Sequence, residues 1–347
     1  MKKLFLQANL LMLIILLSSC SKNSDDNTIN HGLSGTLYFE FGGKASSYRL
    51  QTDTYTEGLS KMGTYSSIYD DFDVSWDNQK ILFTQEAHTN NRFFTYQRLE
   101  HFLNYTEHTN TANNLFKFRI QWNSINEVSA YISPNEQFIA IAAQTAIGMP
   151  ILVVSTDPND ADIIKLMPQN GSLPHYGSPI WTQNNHLYYR MGTFLCKSTP
   201  DDKYKSVQPL FEVGSATNVS ISPDGTKVVF RKNKHLWLCN SDGSGLTQIT
   251  TSETSDKKQY DGESNPTFSP DGNYIAFQSE NVRGASWSDT GIGGSGTSVT
   301  GSSFGYLTII PADGKLYNLD TKNNGAIYLK KENGAFGIPT ESNIIWR

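Results

Sequence analysis

The residues of this sequence that could do chemistry fall into four groups. The first is a set of possible metal ligands. His88, His101 and His108 lie in one stretch, with Glu86, Glu100 and Glu107 nearby. A metal site would want two ligands at i and i+4 on a helix, or alternating on a strand. The histidine spacings here, 13 and 7 residues, fit neither template. Scattered surface and strand histidines are the preferred reading, and no metal is assigned. The second group is the nucleophiles. No nucleophile elbow is assigned, no catalytic residue is assigned, and the chain leans away from being an enzyme. The third group pairs aromatics with carboxylates: Tyr69-Asp70-Asp71, His175-Tyr176 and Tyr260-Asp261. Such pairs suit polar ligands. The competing and preferred reading is Tyr packed between sheets and Asp capping turns. A Gly/Ser-rich stretch over 284–303 adds Trp287, a possible contact for a sugar or peptide. It has no phosphate-loop Lys, so a nucleotide is not expected, and no cofactor is assigned.

Three cysteines complete the reactive set: Cys20, Cys196 and Cys239. The chain opens Met1-Lys2-Lys3, continues with an apolar run over 10–17, and reaches Leu17-Ser18-Ser19-Cys20. The run is shorter than the roughly 20 apolar residues of a membrane-spanning helix and has the length of a signal-peptide core. The tetrapeptide resembles a bacterial lipobox, which implies a signal peptide over 1–19 and lipidation at Cys20. Stable anchoring needs more than one acyl chain, and lipoprotein maturation supplies them. Ser21-Lys22-Asn23-Ser24-Asp25-Asp26-Asn27 is polar and aperiodic, so 20–34 reads as a flexible tether. Its acidic residues resemble the surface-export signal of Bacteroidetes lipoproteins. The expected location is the outer membrane, on its periplasmic or cell-surface side. Cys196 and Cys239 are expected as buried, unbridged thiols on adjacent sheets, because packed sheets stand about 10 Å apart and a disulfide needs Cα atoms within roughly 7 Å.

The elements that must position these residues are strands. Seventeen Tyr, 18 Phe and 27 Gly with only 18% charged residues suit many short strands and tight turns. The formal net charge of -5 offers no basic footprint for nucleic acid. A repeat organises the chain. Val219-Ser-Ile-Ser-Pro-Asp-Gly-Thr-Lys-Val-Val-Phe230 recurs as Pro266-Thr-Phe-Ser-Pro-Asp-Gly-Asn-Tyr-Ile-Ala-Phe277, with weaker copies at 131–141, 72–83 and 179–189. The turn positions are read as Asp77, Asn135, Gln183, Asp224 and Asp271. Their gaps, 58, 48, 41 and 47 residues, match the roughly 40–50 residues of a four-stranded propeller blade. Proline presets φ, Asp binds nearby N–H groups, and Gly accepts positive φ.

The expected fold is therefore an all-β propeller over 35–347. The chain ends Glu341-Ser-Asn-Ile-Ile-Trp-Arg347, echoing Glu263-Ser-Asn-Pro-Thr-Phe268, and stops after one strand. The missing strands stand at the other end, within 36–58. A sixth blade shared by both termini is inferred. Seven blades, with an extra one inside 281–336, is the alternative. The aromatic–carboxylate residues then fall in loops leading into innermost strands, at the channel mouth, on the same face as the 284–303 stretch.

Ser222-Pro-Asp-Gly225, Ser269-Pro-Asp-Gly272 and the segment 236–250 resemble the repeats of the TolB-type propeller. The resemblance covers the expected mature chain and is strongest over 217–280. It is specific for fold and not for function. No counterpart of the family's α/β domain before the propeller is expected here, so its role in colicin import and its pairing with Pal are not carried over. The expectation is a monomeric, non-catalytic binding or scaffold propeller, anchored to the membrane and serving an envelope protein. A surface glycan-binding or glycan-processing lipoprotein is the alternative.

Overall fold

The computed structural model describes residues 32–41, 44–56, 71–88, 91–99, 114–121, 125–145, 151–157, 159–160, 163–166, 178–252, 262–279, 305–321, 323–329, 331, 337–340 and 343–347. Among these, no helix is long and apolar enough to cross a membrane. Five antiparallel sheets run in strict chain order from the innermost strand outward. Sheet II holds Phe72–Val74, Lys80–His88, Asn91–Arg98 and Asn114–Gln121. Sheet III holds Ile125–Ile132, Phe138–Thr145, Ile151–Ser155 and Ile163–Leu166. Sheet IV holds Ile180–Trp181, Leu187–Met191, Phe194–Ser198 and Gln208–Glu212. Sheet V holds Thr217–Ile221, Lys227–Lys232, His235–Asn240 and Thr247–Gln248. Sheet VI holds Glu263–Phe268, Tyr274–Ser279, Gly305–Pro311 and Ile327–Tyr328, with Pro339–Thr340 also paired to the Gly305 strand. These are five blades of a β-propeller.

Sheet I draws on both ends of the chain. Thr36–Phe41, Lys44–Arg49 and Thr54–Thr56 are joined by Ile345–Trp346, which pairs with Leu37 and Tyr38. Arg347 and Thr36 exchange both backbone hydrogen bonds. Gly35 sits at φ +95, and any Cβ there would run into the Arg347 carbonyl. Arg347 also donates from Nε to the Val74 carbonyl and from Nη2 to the buried Asp73 carboxylate of sheet II, at 2.8 and 3.0 Å.

Middle strands read as unbroken apolar runs because both sheet faces are covered. Ile151-Leu-Val-Val-Ser is buried throughout. Successive side chains point to opposite faces, so Ile151 and Val153 pack with Trp181, Leu187 and Tyr189 of sheet IV. Leu152 and Val154 pack with Leu82 and Tyr96 of sheet II. Sheet V repeats the pattern: Val228 and Phe230 meet Tyr188 and Leu195, while Val229 meets Phe268 and Phe277. Sheet I does likewise, with Leu37 and Phe39 against Leu307 and Ile309 of sheet VI, and Tyr38 and Ala45 against Phe72 and Ile81 of sheet II. Each fully buried side chain of this kind contributes about 1.5–3 kcal/mol.

In sheets II to VI each innermost strand ends in one turn design. The Ser222 hydroxyl donates to the Asp224 carboxylate and accepts from the Lys227 N–H; Asp224 accepts from the Thr226 N–H; Gly225 has φ +77. Ser75-Asp77-Asn78, Ser133-Asn135-Glu136 and Ser269-Asp271-Gly272 reproduce it.

The structure corrects one expectation. In sheet IV the Asp-equivalent residue is Asn184, one place after Gln183. Thr182 bonds Asn184 at 2.6 Å and Asn185 takes the positive φ, so Gln183 occupies the proline place. The segment that follows the third strand of sheet V is split: Thr247–Gln248 stays in sheet V, whereas Thr250–Thr251 pairs parallel with Tyr317–Asn318. The Thr250 hydroxyl faces inward, accepting from the Leu236 N–H and donating to Glu263. The described strands within 281–336 belong to sheet VI or to this parallel pair.

Candidate functional site

The repeat places one small polar residue four positions before each turn Ser or Thr. These are Asp71, Ser129, Ser178, Asn218 and Asn265; Asn343 holds the same place four residues before Arg347. All six are half-buried. In sheets V and VI a β-bulge follows the start of the innermost strand, and Asn218 and Asn265 take φ of 47° and 49° there. Asn tolerates this left-handed conformation better than most residues.

These side chains meet across blades. Asn343 Nδ2 of sheet I lies 3.1 Å from the Tyr131 hydroxyl of sheet III and 3.5 Å from Ser178 Oγ, just before sheet IV. The Tyr131 hydroxyl donates to Asp71 Oδ2 at 3.1 Å. On the other side, Asn218 Nδ2 donates to Asn265 Oδ1 at 2.6 Å, and Asn265 Nδ2 donates to Gln278 Oε1 at 2.8 Å. Gln278 Nε2 passes the chain to the Thr340 carbonyl. Contacts from one sheet to two others identify a shared axis lined with amide, hydroxyl and carboxyl groups.

Asp71 is the titratable centre of this lining. Burial pushes its carboxyl up to about 7; hydrogen bonds from the Phe72 N–H, Ser129 and Tyr131 pull it back, and the Asp73 charge raises it further. It therefore changes charge near neutrality. Burial, followed by the Asp71 charge, moves the Tyr131 phenol well above its ordinary value, so Tyr131 acts here as a hydrogen-bond donor.

Of the expected mouth residues, Asp71 is in this lining. Tyr69, Asp70, His175, Tyr176, Tyr260, Asp261 and Trp287 lie outside the described residues, as does Cys20. His88 ends the second strand of sheet II, and His101 and His108 lie outside the described residues. Among the described residues no group of His, Cys, Asp and Glu could hold a metal. Cys196 and Cys239 are buried and unbridged. They face different interfaces, Cys196 toward sheet III and Cys239 toward sheet IV, and burial pushes both thiols up to about 11. Sequence reasoning missed Tyr131, Ser129, Ser178, Asn218, Asn265 and Asn343. The signal was present as a constant offset from the turn Ser or Thr.

This fold and lining define a β-propeller with a polar axis. No family model and no curated protein matches the chain. Solved structures do. TolB from Acinetobacter baumannii aligns with a TM-score of 0.54 at 14% identity, covering 90% of this chain and 66% of that one. A structure assigned to TolB from Agrobacterium tumefaciens aligns with a TM-score of 0.50 at 15% identity, covering 81% and 86%. The chain thus has a TolB-like propeller fold.

Proposed function

We propose that this chain is a non-catalytic binding or scaffold propeller of the cell envelope, and that its partner engages the polar axis around Asp71. The observation that carries the reading is the convergence of Asn343, Tyr131, Ser178 and Asp71 from four sheets on one point. A set of neutral donors and acceptors around one titratable carboxyl suits recognition of a polar partner. The propeller has six blades, with sheet I as the one shared by the termini. Support comes from the Ile345–Trp346 pairing, the Arg347 bonds to sheet II, and the apolar contacts of sheet I with both sheet II and sheet VI.

The anchor is Cys20 and the membrane is the outer one, on the strength of the lipobox and the signal-like segment before it. Replacing Cys20 by Ala should release the protein from membranes; retention would overturn the anchor. The alternative partner is a surface glycan, favoured by the hydroxyl- and amide-rich lining. A pull-down from membranes with the lipidated protein, run beside a glycan array, separates the two. A protein partner lost on Tyr131→Phe supports the scaffold. A glycan signal lost on the same substitution replaces it with the glycan reading.

A further inference from the structure

The propeller has two distinct faces, and the chain enters it through one of them. In sheets II to VI each innermost strand runs from the polar lining to a Ser/Thr–Asx turn, so these turns share one face. The turns between third and fourth strands lie beside them, as the bonds Ser241 N–H to Thr226 carbonyl and Ala312 N–H to Asn273 carbonyl establish. Thr36 starts its strand opposite Arg347, which occupies the turn-Ser place of sheet I. The Gly35 carbonyl accepts from the Leu50 N–H at the head of that sheet's outer turn, and the Ser34 carbonyl accepts from Trp346 Nε1. The Arg347 guanidinium stacks over Trp76, inside the turn of sheet II. The first residues of the propeller therefore leave from the turn face.

We infer that the anchored protein turns this face toward the membrane and presents the opposite face, with the approach to the Asp71 lining, to partners away from it. The inference rests on the Cys20 anchor proposed above. Cys20 and Gly32 are 12 residues apart. A chain of that length reaches at most about 40 Å. To seat the opposite face on the membrane, it would first pass two outer strands spaced about 4.8 Å apart. It would then climb a strand height of about 20 Å and clear the loops beyond. That path takes nearly the full contour, whereas the turn-face arrangement takes none of it. The turn carboxylates Asp77, Asp224 and Asp271 are exposed, so this face is held near the bilayer by the tether rather than by attraction to anionic lipid.

The partner it fits is thus one that approaches from the side away from the anchoring bilayer. The test uses the lipidated full-length protein on vesicles that contain a quencher-labelled lipid. One fluorophore goes on Gln79→Cys, exposed at the turn face, or on Thr193→Cys, exposed at the opposite face; Cys196 and Cys239 are buried. With the labels about 20 Å apart in height, quenching at position 79 should be roughly two-fold stronger or more. Gln137→Cys and Asn233→Cys provide a second pair should either first variant unfold. Equal or reversed quenching on vesicle-bound protein would overturn the orientation while leaving the anchor intact. Failure of the unlabelled protein to bind vesicles would overturn the anchor, and the orientation with it.

Discussion

The two ends of the same innermost strands solve different problems with similar side chains. At the turn end, Ser222 and Asp224 satisfy each other and the N–H groups of Thr226 and Lys227, all within five residues. At the other end, Asn218 and Asp71 spend their bonds on Asn265 and Tyr131, 47 and 60 residues away. The electrostatics diverge as well. Partial burial pushes Asp224 up, but the Ser222 hydroxyl and the Thr226 N–H outweigh it and hold the carboxyl below its ordinary value. At Asp71 burial wins. A local turn stabilises a charge, whereas a lining assembled from several blades leaves one carboxyl poised to lose it.

The largest test of this contrast targets the contact that joins sheet I to sheet II. Asp73 accepts from the Ile132 and Val74 N–H groups and from Arg347. Asp73→Ala leaves those donors buried and should cost about 3–5 kcal/mol, read as a lower urea midpoint. A midpoint within error of wild type would show that the shared sheet does not depend on this pair.

Next is the pH response. The Asp71 pKa lies above its unfolded value of about 3.9, so the folded state holds the proton more tightly, and the resulting stability is present at low pH. It is lost as pH rises from about 4 to about 7. Wild type should fall relative to Asp71→Asn across that window by on the order of 2–4 kcal/mol, with no further change above it. The turn carboxylates run the other way: Asp224 and Asp271 are lowered, so their contribution is lost on acidification. A flat difference between Asp71→Asn and wild type would remove the contrast.

Ser222→Ala deletes a hydroxyl that donates once and accepts twice within its turn. A loss of about 1–3 kcal/mol is expected in chemical denaturation. The smallest effect belongs to Asn218→Gly, which removes the amide contact to Asn265 but keeps a residue at ease with positive φ. Its cost should stay within about 1 kcal/mol. If it exceeded that of Ser222→Ala, the lining would be a structural element rather than a site with room for a partner.

The turn design was legible because its parts sit side by side in the chain. Ser-Pro-Asp-Gly carries its proline, its cap and its glycine in four residues, and the strands follow from alternation on either side. Where the motif decays, reading by analogy slipped: Thr182-Gln-Asn-Asn185 lacks proline and glycine, and only the Thr182–Asn184 bond and the φ of Asn185 fixed the alignment. The lining was legible in one member, Asp71, picked for its type. Tyr131 and Asn343 were passed over because each looks ordinary in its own repeat, and nothing local marks them as neighbours across 212 residues.

By itself, the sequence determined the strand-rich class, the repeat and its turns, and the contribution of both termini to one sheet, because period-2 patterning and turn chemistry act over a few residues. Tertiary structure alone decided which polar side chains meet on the axis and which carboxyl is pushed toward neutrality. It also decided through which face the chain enters. Desolvation and cross-blade hydrogen bonding depend on distances that exist only once the sheets have packed.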